Sequence, residues 1–304
     1  MEAAGLEEAL KVLESSLSQT KWRLKPASKR RLEIDVLALC TGMRAVIMVD
    51  YGGKMPELQE RLSAVLKLSQ KESSIFEHLR VMVIEDMIYL IHVKGLADFV
   101  KSSLNSEREL LFVDLEQDPP KMITQAEKSS VVMQLVSVQK LFSLVFPADG
   151  MNNDLLPSNR TDSIANAESS AEPITSKSSE FIDLSSCMKD TEITVPTLNG
   201  WLLGYPVVYL FGKDHIADAI YNLSTKSLHL FKILVCRNST SNKGSRQEEL
   251  MSFSVPYDLS LEGSNEPWAQ AFLACTKARW ESCKQVWGSL QMEVSGCYPQ
   301  AIVL

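Results

Sequence analysis

One stretch limits the folds open to this chain more than any other: Thr197-Leu-Asn-Gly-Trp-Leu-Leu-Gly-Tyr-Pro-Val-Val-Tyr-Leu-Phe-Gly212. It is almost wholly apolar, yet Gly200, Gly204, Pro206 and Gly212 interrupt it. A membrane-spanning helix needs about 20 consecutive apolar residues with every backbone group bonded internally, and these breaks, with Asn199, oppose that. The segment therefore reads as the centre of a packed core. We expect it to enter that core as a strand. Pro206, unable to donate to a ladder, would confine that strand to an edge or a bulge. Gly200 and Gly204 would permit a turn or close packing. Asn199 is expected to cap a buried turn, so that Asn199→Ala costs about 1 to 3 kcal/mol.

The flanking pattern alternates between helical and strand periodicity. Leu6, Leu10, Leu13 and Leu17 mark a helix over 4–19. Residues 32–40 fit either a helix or a strand. Residues 44–51 read as a buried strand ending in Asp50, followed by a helix through Leu58, Leu62 and Val65. Strands over 79–84 and 87–93 flank a Glu85-Asp86 turn, and 98–104 reads as a short helix. A strand over 110–115 and a helix from Val131 to Pro147 complete the first half. The second half adds a helix over 215–223, strands over 228–236 and 251–257, and a long helix over 267–292. The fold class is α/β, a mixed sheet with flanking helices. Residues 149–180, rich in Asn, Ser, Asp and Ala, read as a disordered insertion between two halves, 1–148 and 181–304, of one domain.

A net charge of -7 argues against general nucleic-acid binding, which draws on a basic surface. The basic run from Lys21 to Arg31 reads as a solvated connector, broken by Pro26 and Ser28. No secretory signal or membrane span is expected. The six cysteines form no C-x-x-C pair, and Cys275 and Cys283, two helical turns apart, are expected near one face. Reduced thiols suit the cytoplasm, with nuclear access.

Chemistry-bearing residues are sparse. The junction Val49-Asp-Tyr-Gly-Gly-Lys-Met-Pro56 lies where ligands gather in open α/β sheets, beyond a strand's carboxyl end. There Asp50 is a candidate acid, Tyr51 and Gly53 candidate contacts, and Lys54 a candidate anion partner. The spacing matches neither G-x-G-x-x-G nor the Walker pattern, and a turn whose Asp binds local amides explains it better. Asp114 would join Asp50 only if their strands were parallel neighbours. His78, His92, His215 and His229 form no zinc motif, and His215 reads as starting a helix capped by Asp214. No metal and no cofactor are expected. The favoured function is a non-enzymatic adaptor or regulatory protein with protein partners. The alternative is a small-ligand binder or enzyme using Asp50, Tyr51 and Gly53, completed by Asn199 or Tyr205. An exposed apolar patch near Trp201 or the 267–292 helix would suit the first, and a convergent pocket the second.

The segment from Pro196 to Phe211, above all Asn199-Gly-Trp-Leu-Leu-Gly-Tyr-Pro206, together with Val49-Asp-Tyr-Gly52, resembles a eukaryotic family of unknown function that includes a human open-reading-frame product. The resemblance covers most of the chain outside 149–180. It implies no activity, so no residue inherits a catalytic role from it.

Overall fold

A computed structural model describes residues 3–105, 110–148, 181–238 and 247–302. The expected insertion at 149–180 lies outside them. The described residues form helices α1 (Ala3–Gln19), α2 (Pro26–Cys40), α3 (Glu57–Glu72), α4 (Val93–Leu104), α5 (Ser130–Val145), α6 (Val195–Leu202), α7 (Ile216–Ser224) and α8 (Pro267–Glu281). The strands are β1 (Val46–Met48), β2 (Leu79–Ile84), β3 (Met87–His92), β4 (Leu111–Asp114), β5 (Lys121–Met122), β6 (Ile182–Asp183), β7 (Val207–Leu210), β8 (Leu228–Arg237), β9 (Gln247–Pro256) and β10 (Trp287–Cys297).

The α/β class holds, with the strands divided among three sheets ordered β1-β3-β2-β6, β5-β4-β7 and β10-β8-β9. The first two are mixed: β6 runs parallel to β2, and β7 runs parallel to β4. Each of those parallel pairs joins a strand from before residue 149 to one from after residue 180.

The β2–β3 hairpin explains why its strands read as continuous apolar runs. Ile88 and Leu90 of β3 face a core built on α1, α2 and α3, while Tyr89 and Ile91 face a second core containing α4, α5 and α6. A sheet covered on both faces needs apolar residues at every position. A third core lies under β8 and β9, where Phe231 and Phe253 are register partners with stacked rings 5.3 Å apart.

Three expectations are corrected. The Gly-Trp-Leu-Leu-Gly-Tyr-Pro segment enters the core as helix α6. The Thr194 hydroxyl accepts from Thr197 N at 3.4 Å as its N-cap, and Pro196 stands in the first turn. Gly200 lies inside the helix because a Cβ there would sit 3.2 Å from Val208 Cγ1. Gly204, at φ 75°, ends the helix, its N–H returning to Trp201 O (2.8 Å) while Tyr205 N returns to Gly200 O (3.0 Å). The strand starts only after Pro206, as edge strand β7. Second, the 267–292 helix stops at Glu281, and Trp287–Cys297 forms β10. Half-buried Leu290, Met292 and Val294 alternate there with exposed Gln291, Glu293 and Ser295, which is strand spacing. With the helix ended, Cys275 is exposed and Cys283 buried, not on one shared face. Third, Pro26 is the first residue of α2, so residues 32–40 are helical and Arg30 and Arg31 belong to a helix and not to a connector.

Candidate functional site

The strand-to-helix junction is a packed turn. Val49 N still bonds to Ile88 O (2.8 Å), so Asp50 is the first residue to leave the sheet, and it is exposed. The special backbone belongs to Gly52, at φ 86°. A Cβ there would meet Leu24 Cδ2 at 2.7 Å and Trp22 Cζ2 at 2.9 Å, and Trp22 Nε1 donates to Gly52 O at 3.1 Å. Gly53 is exposed, and a Cβ there would only touch Leu58 at 3.5 Å. Asp114 is not a neighbour of Asp50, because β4 lies in a different sheet from β1. Its carboxylate accepts from Glu116 N (2.8 Å) and Gln117 Nε2 (2.5 Å), closing its own turn.

Tyr51 turns inward and donates to Asp35 Oδ2 at 2.7 Å. Asp35, only 1% exposed, is also held by Arg31 one turn earlier on α2, through Nε at 3.2 Å and an Nη2–Oδ1 ion pair at 3.0 Å. Arg31 Nη1 continues to Glu249 O at 2.7 Å. Arg44, 7% exposed, donates to Leu250 O and Leu203 O, both at 3.3 Å, and lies against the Tyr205 side chain. This network ties α2 to β9, to the turn after β1 and to the end of α6. Burial raises the Asp35 carboxyl above its usual range despite Arg31, Tyr51 and Arg44. Burial also raises the Tyr51 and Tyr205 hydroxyls, so both stay protonated near neutral pH. It lowers Arg44, which Tyr205 and Asp35 oppose.

A cleft of about 900 Å³ opens between the β2–β3 turn, the segment leading into α6, β7 and β9. It contains two of the five sequence candidates, Asn199 and Tyr205; Asp50, Tyr51 and Gly53 are not among its lining residues. Its apolar walls come from Ile193, Val195, Val207, Phe211 and Phe253, and of its three methionines the half-buried Met48 and Met87 add flexible surface while Met188 is buried behind it. Most of its polar groups are committed to the fold. Asn199 Oδ1 accepts from Tyr89 OH at 2.6 Å, Tyr209 OH donates to Ser254 O at 2.7 Å, and Lys213 Nζ donates to Met188 O at 3.1 Å. Asn199 thus links α6 to β3 through its side chain; the expected turn cap is supplied by its backbone, which accepts from Leu203 N at 2.9 Å. Glu85 and Asp86 stand exposed at one rim.

Other candidates fall elsewhere. Trp201 is fully buried against Phe99 and Phe142, with Nε1 donating to Ser103 Oγ at 3.1 Å, so no exposed patch forms at it. His215 is itself the N-cap residue of α7, and its ring pairs with Asp218 at 2.9 Å; Asp214 makes no cap there. Among the described residues no group of three His, Cys, Asp or Glu side chains could hold a metal ion. None of their helices is long and apolar enough to cross a membrane.

Sequence reasoning missed the Arg31–Asp35–Arg44 network. A signal existed: Asp35 interrupts an apolar helical run four residues after Arg31, the spacing of a helical ion pair. The methionine cleft left no such trace, because its walls come from segments far apart in the chain. No curated protein and no solved structure matches the chain. A family model does match, over residues 14–304 and so nearly the whole length, and the chain belongs to the family described as a domain of unknown function (DUF4504).

Proposed function

We propose that this protein is a non-enzymatic adaptor or regulatory protein. Its cleft receives an apolar segment of a protein partner, flanked by a basic residue. The observation that carries this reading is the lining of Met48 and Met87 among aliphatic and aromatic walls. Methionine side chains repack at low cost, which suits a surface that accepts varied apolar side chains. Glu85 and Asp86 at the rim supply the charge complement, and the net charge of -7 favours a basic partner over nucleic acid. We place this activity in the cytoplasm, with nuclear access, on the support of six cysteines that are all free thiols.

One observation favours a second reading. A cleft of about 900 Å³ lies within the range of small-molecule sites, so a small-ligand-binding protein or enzyme is the alternative.

Fluorescence anisotropy with a labelled amphipathic leucine–lysine peptide separates the two. The adaptor reading expects binding that Met87→Glu abolishes and that Glu85→Lys weakens. An apolar dye that binds in the cleft with no sensitivity to Glu85→Lys, while the peptide does not bind, would turn the reading to a small molecule. A peptide affinity unchanged by both substitutions would remove the cleft from the function.

A further inference from the structure

A second cavity, of about 550 Å³, shares Leu203 with the cleft and lies between the loop after α2, the start of α4, the end of α6 and α8. Its charged lining is Arg44, Lys94, Arg279 and Asp98. His92 also faces it. Its Nδ1 accepts from Gly95 N at 3.0 Å, and burial and His78 together favour the neutral ring. Among those lining residues the cations outnumber the carboxylate, and Arg279 Nη1 also donates to Met43 O at 3.4 Å.

Arg44 makes that surplus consequential. Its guanidinium is buried, and the hydrogen bonds it makes at 3.3 Å go to the neutral carbonyls of Leu203 and Leu250. The near carboxylate, Asp35, is already held by Arg31 and Tyr51. Two buried or half-buried guanidinium groups thus share one buried carboxylate. A buried charge without a counter-charge is costly, and an anion in the cavity would offset it. Arginine forks and a lysine ammonium are the side chains that hold phosphate oxygens. A phosphate monoester carries roughly -1.5 to -2 charge near neutral pH, more than a carboxylate brings. Gly42, whose added Cβ would meet nothing within 4 Å, keeps one wall open to a ligand. Phe99, Met251 and Phe272 give the remainder of the molecule an apolar surface.

We propose that this cavity is a binding site for a small phosphate monoester, with Arg44 as its buried anchor and Lys94 and Arg279 as its outer contacts. The site stands independently of the cleft and of what the cleft binds.

The test is isothermal titration and thermal unfolding of the full chain. The probes are inorganic phosphate, glycerol 3-phosphate and AMP, with glycerol and adenosine as uncharged controls and sulfate at equal ionic strength. The phosphorylated probes are expected to bind and raise the melting temperature, while glycerol and adenosine do neither. Lys94→Glu and Arg279→Gln should each weaken binding by about tenfold or more, the ordinary worth of a charge-assisted contact. Lys94 is exposed, so Lys94→Glu keeps the test decisive if Arg279→Gln fails to fold. No binding of any phosphorylated probe would overturn the site. So would an equal response to sulfate that survives Lys94→Glu, since that is a general effect of ionic strength.

Discussion

The Tyr89 hydroxyl donates a 2.6 Å hydrogen bond to Asn199 Oδ1, joining the centre of β3 to α6 beside the cleft. Tyr89 is fully buried in side-chain terms, so its hydroxyl depends on this acceptor. Asn199→Ala orphans that donor and should destabilise the protein by about 1 to 3 kcal/mol. Tyr89→Phe removes the donor itself and leaves a half-exposed amide that water can reach, so it should cost less, about 0.5 to 1.5 kcal/mol. Because the two residues share one bond, the double variant should lose less than the sum of the singles. Urea unfolding of the four proteins checks this. An Asn199→Ala midpoint equal to that of the wild type would remove the bond from the stability of the fold.

Asp35 gives a pH prediction with a definite sign. Its folded-state pKa is raised, burial outweighing Arg31, Tyr51 and Arg44, so the folded protein holds this proton more tightly than the unfolded chain does. The stabilisation is fully present below the ordinary carboxylate value of 3.8 and is lost as pH rises through the higher folded value. Asp35→Asn keeps an acceptor for Tyr51 and cannot titrate. The stability of the wild type relative to Asp35→Asn should therefore fall as pH rises across that window. Urea midpoints of both proteins at several pH values measure it, and a difference that grows with pH would show that the ion pair with Arg31 dominates instead.

The two glycines after Tyr51 should respond differently. Gly52→Ala forces a Cβ to within 2.7 Å of Leu24 and 2.9 Å of Trp22, at φ 86°. Strained backbone and overpacking each cost about 1 to 3 kcal/mol, so the loss should lie at or above that range. Gly53→Ala meets only Leu58 at an ordinary 3.5 Å and should stay within about 0.5 kcal/mol of the wild type. Thermal unfolding of the pair decides the matter. Equal losses would mean that the turn is not fixed by its packing on Trp22.

What the sequence disclosed follows from where its signals are local. The β2–β3 hairpin and α3 were legible because alternation, turn residues and helical spacing each act within a few residues. The α6 segment misled because its residues are apolar at nearly every position, and that pattern is shared by a buried helix and a buried strand. The deciding signals were Thr194, Pro196 and Gly204, a cap, a first-turn proline and a left-handed stop. The 267–292 reading failed for the opposite reason, since aromatic residues continue through a change of period after Cys283. Of the candidate site, Asn199 and Tyr205 were found because they lie in that one dense segment. The two cavities depend on which distant segments meet, and nothing at Met87 or Lys94 announces a neighbour a hundred or more residues away.

His215 should titrate as a surface sensor between two segments. Its Nδ1 lies 2.9 Å from Asp218 Oδ2 and its Nε2 3.8 Å from Glu116 Oε2, and Glu116 Oε1 also accepts from Gly212 N at 2.8 Å. The hydrogen bond to Asp218 and then the charge of Glu116 raise the imidazole above its ordinary value of 6.5. A histidine raised on folding stabilises fully below its unfolded value, and that contribution is lost as pH rises through the folded one. The protonated ring holds the start of α7 to the chain after β4, and its place on the solvent-exposed surface keeps the energy small. Histidine NMR titration should place the His215 midpoint above 6.5, and Asp218→Asn should move it down further than Glu116→Gln does. A midpoint at or below 6.5, or one indifferent to Asp218→Asn, would show that the ring is not held by its carboxylate neighbours in solution.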